Sequence, residues 1–436
     1  MSIIGIVCEF NPFHSGHKHL IDCVKKDNDV VIAVMSGNFV QRGEPAIFPK
    51  ALRTKVALEN GVDIVLELPF LYATASAEIF ASNAVRILNA FGCDKIAFGA
   101  ENSNLEQLNK VVDILCSNDF DEKIKSHLAK GVSYPTARQK AFDSYNANFD
   151  ISSPNNILAI EYLKAIKRQN AHLEPLVVER VGAGYNENCA IDNIASATHI
   201  RNLIYNNEYF ENYIPSNSAE IYNESIANGN IVSLEKYNLS ALTLLRSKIN
   251  NELSSIANMA EGIENRIVSE IKANSNLNEI FDNIKTKRFT HSRIRRAVLS
   301  VMFDIDKKYL EIEAPYCRLL GFNKKKSVQM GELAKNSKLP FVASYSDIQG
   351  LDDINASKVF EIEDITTDFY NLILEKSCNC GTERKHTPIK FWVLQVFLQN
   401  SCFLTLKNVY LCCVNIYYSE KCKNEKFYFV KNRFEQ

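Results

Sequence analysis

The sequence carries no surplus of charge of either sign. With 50 Lys and Arg against 51 Asp and Glu, the 436-residue chain has a formal net charge of −1. No global basic character points to a nucleic acid, so any such role must rest on a local patch. No basic-then-apolar leader follows Met1, which argues against secretion and for a cytoplasmic protein. Paired C-x-x-C motifs are also missing: the 12 cysteines are scattered, and Cys378-x-Cys380 and Cys412-Cys413 lack the partners of a zinc site, so no protein-held metal is expected. Cys8, Cys23, Cys93 and Cys116 fall in apolar contexts and read as buried, reduced thiols. The text KFWVLQVFLQNSCFLTLKNVYLCCVNIYY is long enough for a membrane helix, but Lys407 and repeated Gln, Asn, Ser and Thr interrupt it. Buried or poorly ordered strands are expected there, with no membrane partner. No internal repeat is present.

What remains is ordinary globular text, 46% hydrophobic and 23% charged, long enough for two or three domains. Ile3–Val7, Val30–Met35, Asp63–Leu68 and Asp94–Gly99 are short apolar runs that suit parallel strands covered on both faces. Helical stretches such as PKALRTKVALENG and SAEIFASNAVRILNAFG separate them, the second ending at Gly92. NNILAIEYLKAIKRQ and PLVVERV extend the alternation. Strand, helix, strand, helix predicts an α/β fold with a Rossmann-like, doubly wound parallel sheet over residues 1–205. From about Asn206 glycine is rare and the text turns polar and helical, so 206–300 reads as a mainly helical region. Residues 301–390 read as a small C-terminal α/β unit, and 391–436 as an atypical tail.

The chemistry concentrates in FNPFHSGH. A strand ends just before it and HKHLIDCVKK continues as an amphipathic helix, so His14-x-Gly16-His17 lies at a strand-to-helix turn, where an open α/β sheet binds ligands and free N–H groups favour an anion. Pro12 fixes φ, and Gly16 lets the backbone approach a bulky group. His14 and His17 can donate to phosphate oxygens and stabilise charge building on phosphorus. A second signal is AIDNIASATHIRNLI, in which Ser196 and Thr198 are either helix N-caps or, with Arg201, phosphate ligands.

FNPFHSGH resembles the signature of the nucleotidyltransferase superfamily, G-x-F-(D/N)-P-x-H-x-G-H, except that Cys8 stands where many members have Gly. The superfamily's late I-S-(S/A)-T-x-I-R motif matches the second signal. MSGNFVQRGEPAIFPKALRTKVALENGVDIVLELPF, FGAE, SPNNILAIEYLKAI, RVGAGY and KTKRFTHSRIRRAV are together similar to the bacterial tRNA(Met) cytidine acetate ligases, from Ser2 to about Pro388. That resemblance implies activation of acetate by ATP to acetyl-adenylate, then acetylation of N4 of the wobble cytidine in elongator tRNA(Met). It makes His14 and His17 catalytic. It places ATP against Val7, Cys8, Glu9, Phe10, Asn11, Pro12 and Phe13, then His14, Ser15, Gly16, His17, Lys18, His19 and Leu20. Gly99, Asn155, Asn156 (the preferred one of the pair), Arg180, Ser196, Thr198 and Arg201 would complete the nucleotide site. Mg²⁺ is expected with ATP, its ligands drawn mostly from phosphates and water. The polar loop with Ser36, Gly37, Asn38, Gln41 and Arg42 faces the same edge and would shape the acetate or cytidine pocket.

The nucleic-acid signal is local. In FDNIKTKRFTHSRIRRAVLS, Lys285, Lys287, Arg288, Arg293, Arg295 and Arg296 face one acid, Asp282, with Phe289 and His291 interleaved. Such a run can hold RNA phosphates and stack a base. Lys324–Lys326 is a weaker second patch. Two other readings stay open on the residues alone: a small-molecule adenylyltransferase of the same fold, and a non-catalytic tRNA- or nucleotide-binding protein. The basic run and the extra two hundred residues speak against the first, and the intact His14, Gly16, His17 and Arg201 against the second. A homo-oligomer is left open.

Overall fold

In the computed structural model, which describes residues 1–132, 134–147, 149–180, 194–286 and 288–392, Val30–Ser36 is a strand with no exposed residue. Val30, Ile32 and Val34 enter one hydrophobic core, while Val31, Ala33 and Met35 enter a second. Alternate side chains of a strand leave opposite faces, so both faces of the sheet are covered, as the uninterrupted apolar runs require.

Ten strands are present among the described residues: β1 Ile3–Cys8, β2 Val30–Ser36, β3 Phe39–Val40, β4 Glu44–Pro45, β5 Ile64–Leu68, β6 Lys95–Ala100, β7 Glu174–Glu179, β8 Cys317–Asn323, β9 Phe341–Val342 and β10 Ile389–Phe391. The main sheet runs in the order β7-β6-β1-β2-β5-β8-β10, with β9 on β8, and β3 and β4 form a separate small ribbon. β7, β6, β1, β2 and β5 are mutually parallel. The chain goes from β1 outward through β2 and β5, then returns to β6 on β1's other flank. Strand order thus reverses between β1 and β6, and the carboxyl ends of those strands open a crevice.

Helices Ser15–Val24, Lys50–Glu59, Ala77–Ala90 and Pro154–Gln169 connect these strands. The Ala77–Ala90 helix starts at Ser76, whose hydroxyl accepts from the Ile79 N–H, and it stops at Gly92, φ +88°, the left-handed terminator that the sequence predicts.

The C-terminal part differs from expectation. Residues 301–390 do not make a unit of their own: β8 pairs antiparallel with β5, and β10 pairs parallel with β8. Met1–Val393 is one compact unit. CRLLGFN forms β8, but nothing in its own text points to its partner, which lies about 250 residues upstream. Helices Leu234–Lys248, Ile263–Ala273, Leu277–Ile284 and His291–Met302 occupy the stretch read as helical. Their Leu245, Ile267, Ile280 and Ile294 share the core that holds Ile64 and Leu66 of β5, so that stretch has no separate core.

Among the described residues every cysteine is free. Cys8 and Cys93 are buried as expected, but Cys23 is exposed, on the outer side of its helix, and Cys116 is half-buried. No helix among the described residues is long and apolar enough to cross a membrane. Beyond Trp392 the tail lies outside the described residues.

Candidate active site

Phe10 leaves β1 in the left-handed region, φ +47°, a conformation that costs a bulky residue of order 1–3 kcal/mol. Packing holds it there, with its ring 4.8 Å from Phe13 and 5.1 Å from His17. The turn delivers His14 as the N-cap of Ser15–Val24 in a reciprocal cap. The Gly16 N–H donates to His14 Nδ1 at 3.1 Å, and the His14 N–H donates to His17 Nδ1 at 3.2 Å. The two rings stack at 3.8 Å.

Each Nδ1 is therefore an acceptor, and each imidazole carries its proton on Nε2. Burial together with Arg180 and Arg201 holds His14 down at about 3; burial, His14 and Arg180 hold His17 well below its usual value. The pair works as two neutral N–H donors.

A second wall comes from β6 and β7. Arg180 follows β7, and its Nη1 donates to Asn155 Oδ1 at 3.3 Å. A Cβ at Gly99 would stand 3.2 Å from Arg180 Cγ, so glycine here gives the arginine stem room to cross β6, beyond whatever it offers adenosine. Glu101 accepts from the Asn155 amide and, at 2.7 Å, from the Asn156 N–H, a carboxylate at the start of Pro154–Gln169.

The third wall is the Ala197–Tyr205 helix, capped by Ser196, whose hydroxyl accepts from the His199 N–H at 3.1 Å. Thr198 Oγ1 accepts from Arg201 at 3.2 Å and from Arg42 at 3.5 Å, which leaves its own O–H to donate elsewhere. Arg201 also reaches the Asn11 carbonyl at 2.8 Å, tying this helix to the FNPFHSGH turn.

The walls enclose about 1250 Å³ of empty space, part of it open to solvent, lined among the described residues by Arg42, Arg180 and Arg201 against one carboxylate, Glu9. Three guanidiniums against one carboxylate favour a polyanion in this space.

Residues 1–385 match the HIGH Nucleotidyl Transferase family. A tRNA(Met) cytidine acetate ligase of Thermoanaerobacter sp. is 38% identical over 404 residues, covering 89% of this chain and 100% of that one. The ligase of Thermosipho melanesiensis is 38% identical over 361 residues, 79% of this chain and 85% of its own. The chain belongs to the tRNA(Met) cytidine acetate ligase family. The crystal structure of Thermotoga maritima TmcAL bound with alpha-thio ATP superposes with a TM-score of 0.82 at 31% identity, covering 90% of this chain and 100% of that one.

Not every residue expected in the family's nucleotide site reaches the cleft. Val7, Cys8, Glu9, Phe10 and Asn11 line it, with His14, His17 and Leu20 from the helix. Gly99, Asn155, Arg180, Ser196, Thr198 and Arg201 line it too. Pro12, Phe13, Ser15, Gly16, Lys18, His19 and Asn156 do not. Phe13 is buried, and its N–H donates to Tyr222 Oη at 3.0 Å. Lys18 pairs with Asp22, exposed His19 lies beside Cys23, and Ser15 donates to the Tyr213 carbonyl. Asn156, the preferred asparagine, is occupied by the Asn102 N–H and the Asp150 carbonyl; Asn155 is the one at the cleft. The polar loop splits as well. Gln41 and Arg42 line the cleft, whereas Asn38 bonds Thr367 and the Lys50 N–H. The carbonyls of Ser36 and Gly37 accept from fully buried Arg53, which also takes the Glu9 carbonyl. RVGAGY beyond Arg180 lies outside the described residues. Sequence reasoning missed the apolar end of the cleft, Phe80, Phe98, Leu158 and Tyr162, because such side chains read as ordinary core.

The basic run lies beside this site with its charges largely answered. Arg288 and Arg293 pair with Glu261, and Arg295 with Glu44, acids 27 or more residues away that no local count reveals. Phe289 is buried under Arg293 at 5.0 Å, so it is not available to stack a base. Arg296 is held down at about 10 by burial and Arg293, and it donates to the Gln41 carbonyl at 3.3 Å. Lys285 and Arg288 remain exposed. Lys287 lies outside the described residues. In the second patch Lys324 sits 3.9 Å from the Trp392 ring, and Lys326 donates to the Asn28 and Asp29 carbonyls.

Proposed function

We propose that this chain is an ATP-dependent ligase that activates acetate as acetyl-adenylate and transfers the acetyl group to N4 of the wobble cytidine of elongator tRNA(Met). The observation that carries the reading is the cleft at the sheet's reversal point, where two neutral imidazole donors and three guanidiniums face one space in a chain 38% identical over most of its length to ligases of that name. Acetate is a poor electrophile, so its carboxylate attacks the α-phosphorus and pyrophosphate departs. Such a step needs alignment and charge stabilisation rather than a protein nucleophile. His14 and His17 donate from Nε2 to phosphate oxygens, Arg180 and Arg201 balance the triphosphate, and Thr198 donates its hydroxyl. Neutral donors suit this task, since their strength does not depend on pH near neutrality.

The cleft suits Mg²⁺ only as an ion carried on phosphates. Among the described residues it holds a single carboxylate, Glu9, too few for a protein-built ion site, and the sole acidic cluster of ion-binding size among the described residues, Glu67, Glu363 and Glu383, is buried elsewhere. There Lys50 and Arg318 fill it. The partner tRNA would approach along Lys285 and Arg288, beside the ribbon that borders the cleft.

The deciding assay combines purified protein, ATP, labelled acetate and tRNA(Met), with each omitted in turn. Label is expected on cytidine only in the complete mixture. His17→Ala should reduce acetate-dependent ATP–pyrophosphate exchange at least 100-fold while the protein stays folded; undiminished exchange contradicts the assignment.

A further inference from the structure

Acetylation of a cytidine amine releases a proton, and neither histidine can take it. Both imidazoles are neutral with Nδ1 engaged by a main-chain N–H, so each offers only a donor to the cleft. Burial lifts the Cys8 thiol well above its usual value, which leaves it protonated. Among the described residues that line the cleft, one side chain is left that can accept a proton, Glu9.

Its placement fits the role. Glu9 Oε1 is fixed by the Gln41 N–H at 2.7 Å, while Oε2 has no hydrogen-bond partner among the described residues. The same Gln41 accepts from Arg296 through its carbonyl. One residue, Gln41, therefore connects the carboxylate to Arg296 of the basic helix, through its N–H on one side and its carbonyl on the other. The charged and titratable groups that act on it are Arg42, Arg201 and buried Arg53, with Cys8 next to it in the chain. Burial raises the carboxyl above its usual range, outweighing the Gln41 N–H and the three arginines, which all draw its affinity for protons down. A carboxylate so placed is a better base than an exposed one.

We propose that Glu9 is the general base of acetyl transfer, a role that rests on the ligase reading above. The N4 lone pair forms a bond to the acetyl carbonyl carbon, the carbon–oxygen bond to the adenylate phosphate breaks, and AMP leaves with that electron pair. The N4 proton passes to Glu9 Oε2 as the amine becomes an amide.

Glu9→Gln keeps the volume and the acceptor for the Gln41 N–H but cannot take a proton. Transfer is measured in single turnover from acetyl-adenylate formed on the protein, with excess tRNA(Met), beside acetate-dependent pyrophosphate exchange. The ratio of transfer rate to exchange rate should fall about 100-fold or more in Glu9→Gln, as loss of a general base predicts, and Glu9→Asp should recover part of it. The parent's transfer rate should also drop at acid pH, with a midpoint above the ordinary carboxylate range, and Glu9→Gln should lack that limb. A ratio unchanged in Glu9→Gln, or a parent profile flat from pH 5 to 8, overturns the assignment and leaves the ligase reading standing. A parent that makes acetyl-adenylate yet never labels cytidine overturns both.

Discussion

His14 and His17 occupy a position where neighbouring phosphates would favour imidazolium, yet their surroundings keep both neutral. Three features agree: main-chain donors at each Nδ1, burial, and the nearby guanidiniums. Their ¹³C resonances should therefore show no titration from pH 8 down to 4.5; a midpoint near 6.5 in either residue would refute the donor assignment. The sign for stability follows. With folded values below the unfolded 6.5, the unfolded chain binds protons that the folded one refuses, so this pair's contribution is intact above about pH 6.5 and falls as pH drops below it. Gly99 is a second residue-scale case. Gly99→Ala would push a Cβ to 3.2 Å from Arg180 Cγ, a contact that shifts the arginine rather than unfolding the sheet. Nucleotide affinity, read by titration calorimetry, should fall on the order of tenfold, about 1.4 kcal/mol, with little change in thermal midpoint. The motif residues were visible in the sequence because their chemistry is local. Which of Asn155 and Asn156 faces the cleft was not, since that depends on Glu101 accepting from the helix start and on the Asp150 carbonyl accepting from the Asn156 amide.

At the scale of elements, the β3–β4 ribbon and the His291–Met302 helix form the joint between the nucleotide cleft and the basic run. Gly43, φ +77°, turns the ribbon, and a Cβ there would meet Arg296 N at 2.7 Å and Arg295 Cβ at 2.8 Å. Backbone thus lies against backbone, and both the conformation and the contact require glycine. Glu44 on the ribbon pairs with Arg295 and stands 3.8 Å from Arg201. Sequence showed the cations but not their acids, because Glu44 and Glu261 are brought in by the fold. The cations left for RNA are consequently fewer than the run suggests. Lys285→Glu with Arg288→Glu should weaken tRNA binding and lower the slope of log affinity against log salt by at least about 1, since Arg288 is already partly answered by Glu261. ATP affinity should not change; a parallel loss of ATP binding would show that the helix, rather than its surface charge, had been damaged.

At the scale of the whole molecule, the parallel half of the sheet could be read from its apolar runs, while the joining of residues 301–390 to it could not. One clue was present: Glu67 lies inside the apolar run DIVLEL, and a charge in a doubly covered strand must have partners. Those partners come from across the chain. Lys50 Nζ bonds Glu67 at 2.5 Å, Glu363 at 2.9 Å and Glu383 at 2.7 Å, and Arg318 of β8 joins Glu67 and Glu383. Three acids face two cations in a sealed space, which leaves one negative charge too many. Burial and Glu67 raise Glu363 to about 7, while Glu383, pulled by Arg318 and Lys50, is held at about 2. Glu363 therefore keeps a proton when folded that it would lose near pH 4.5 when unfolded, so its contribution to stability diminishes as pH rises from about 4.5 through 7. Glu383 acts oppositely, its contribution being lost as pH falls from about 4.5 toward 2. Glu363→Gln should flatten the decline between pH 5 and 7 in urea unfolding, with the folded protein otherwise intact. Lys50→Met, by contrast, strands at least one further carboxylate in the core and should cost about 3–5 kcal/mol. Because the cluster connects β5 to β8, the Ile354–Leu372 helix and Glu383, that loss should expose the C-terminal segment and the sheet to proteolysis together; early cleavage confined to residues beyond 301, with the sheet still protected, would mean that the cluster does not hold the two as one unit.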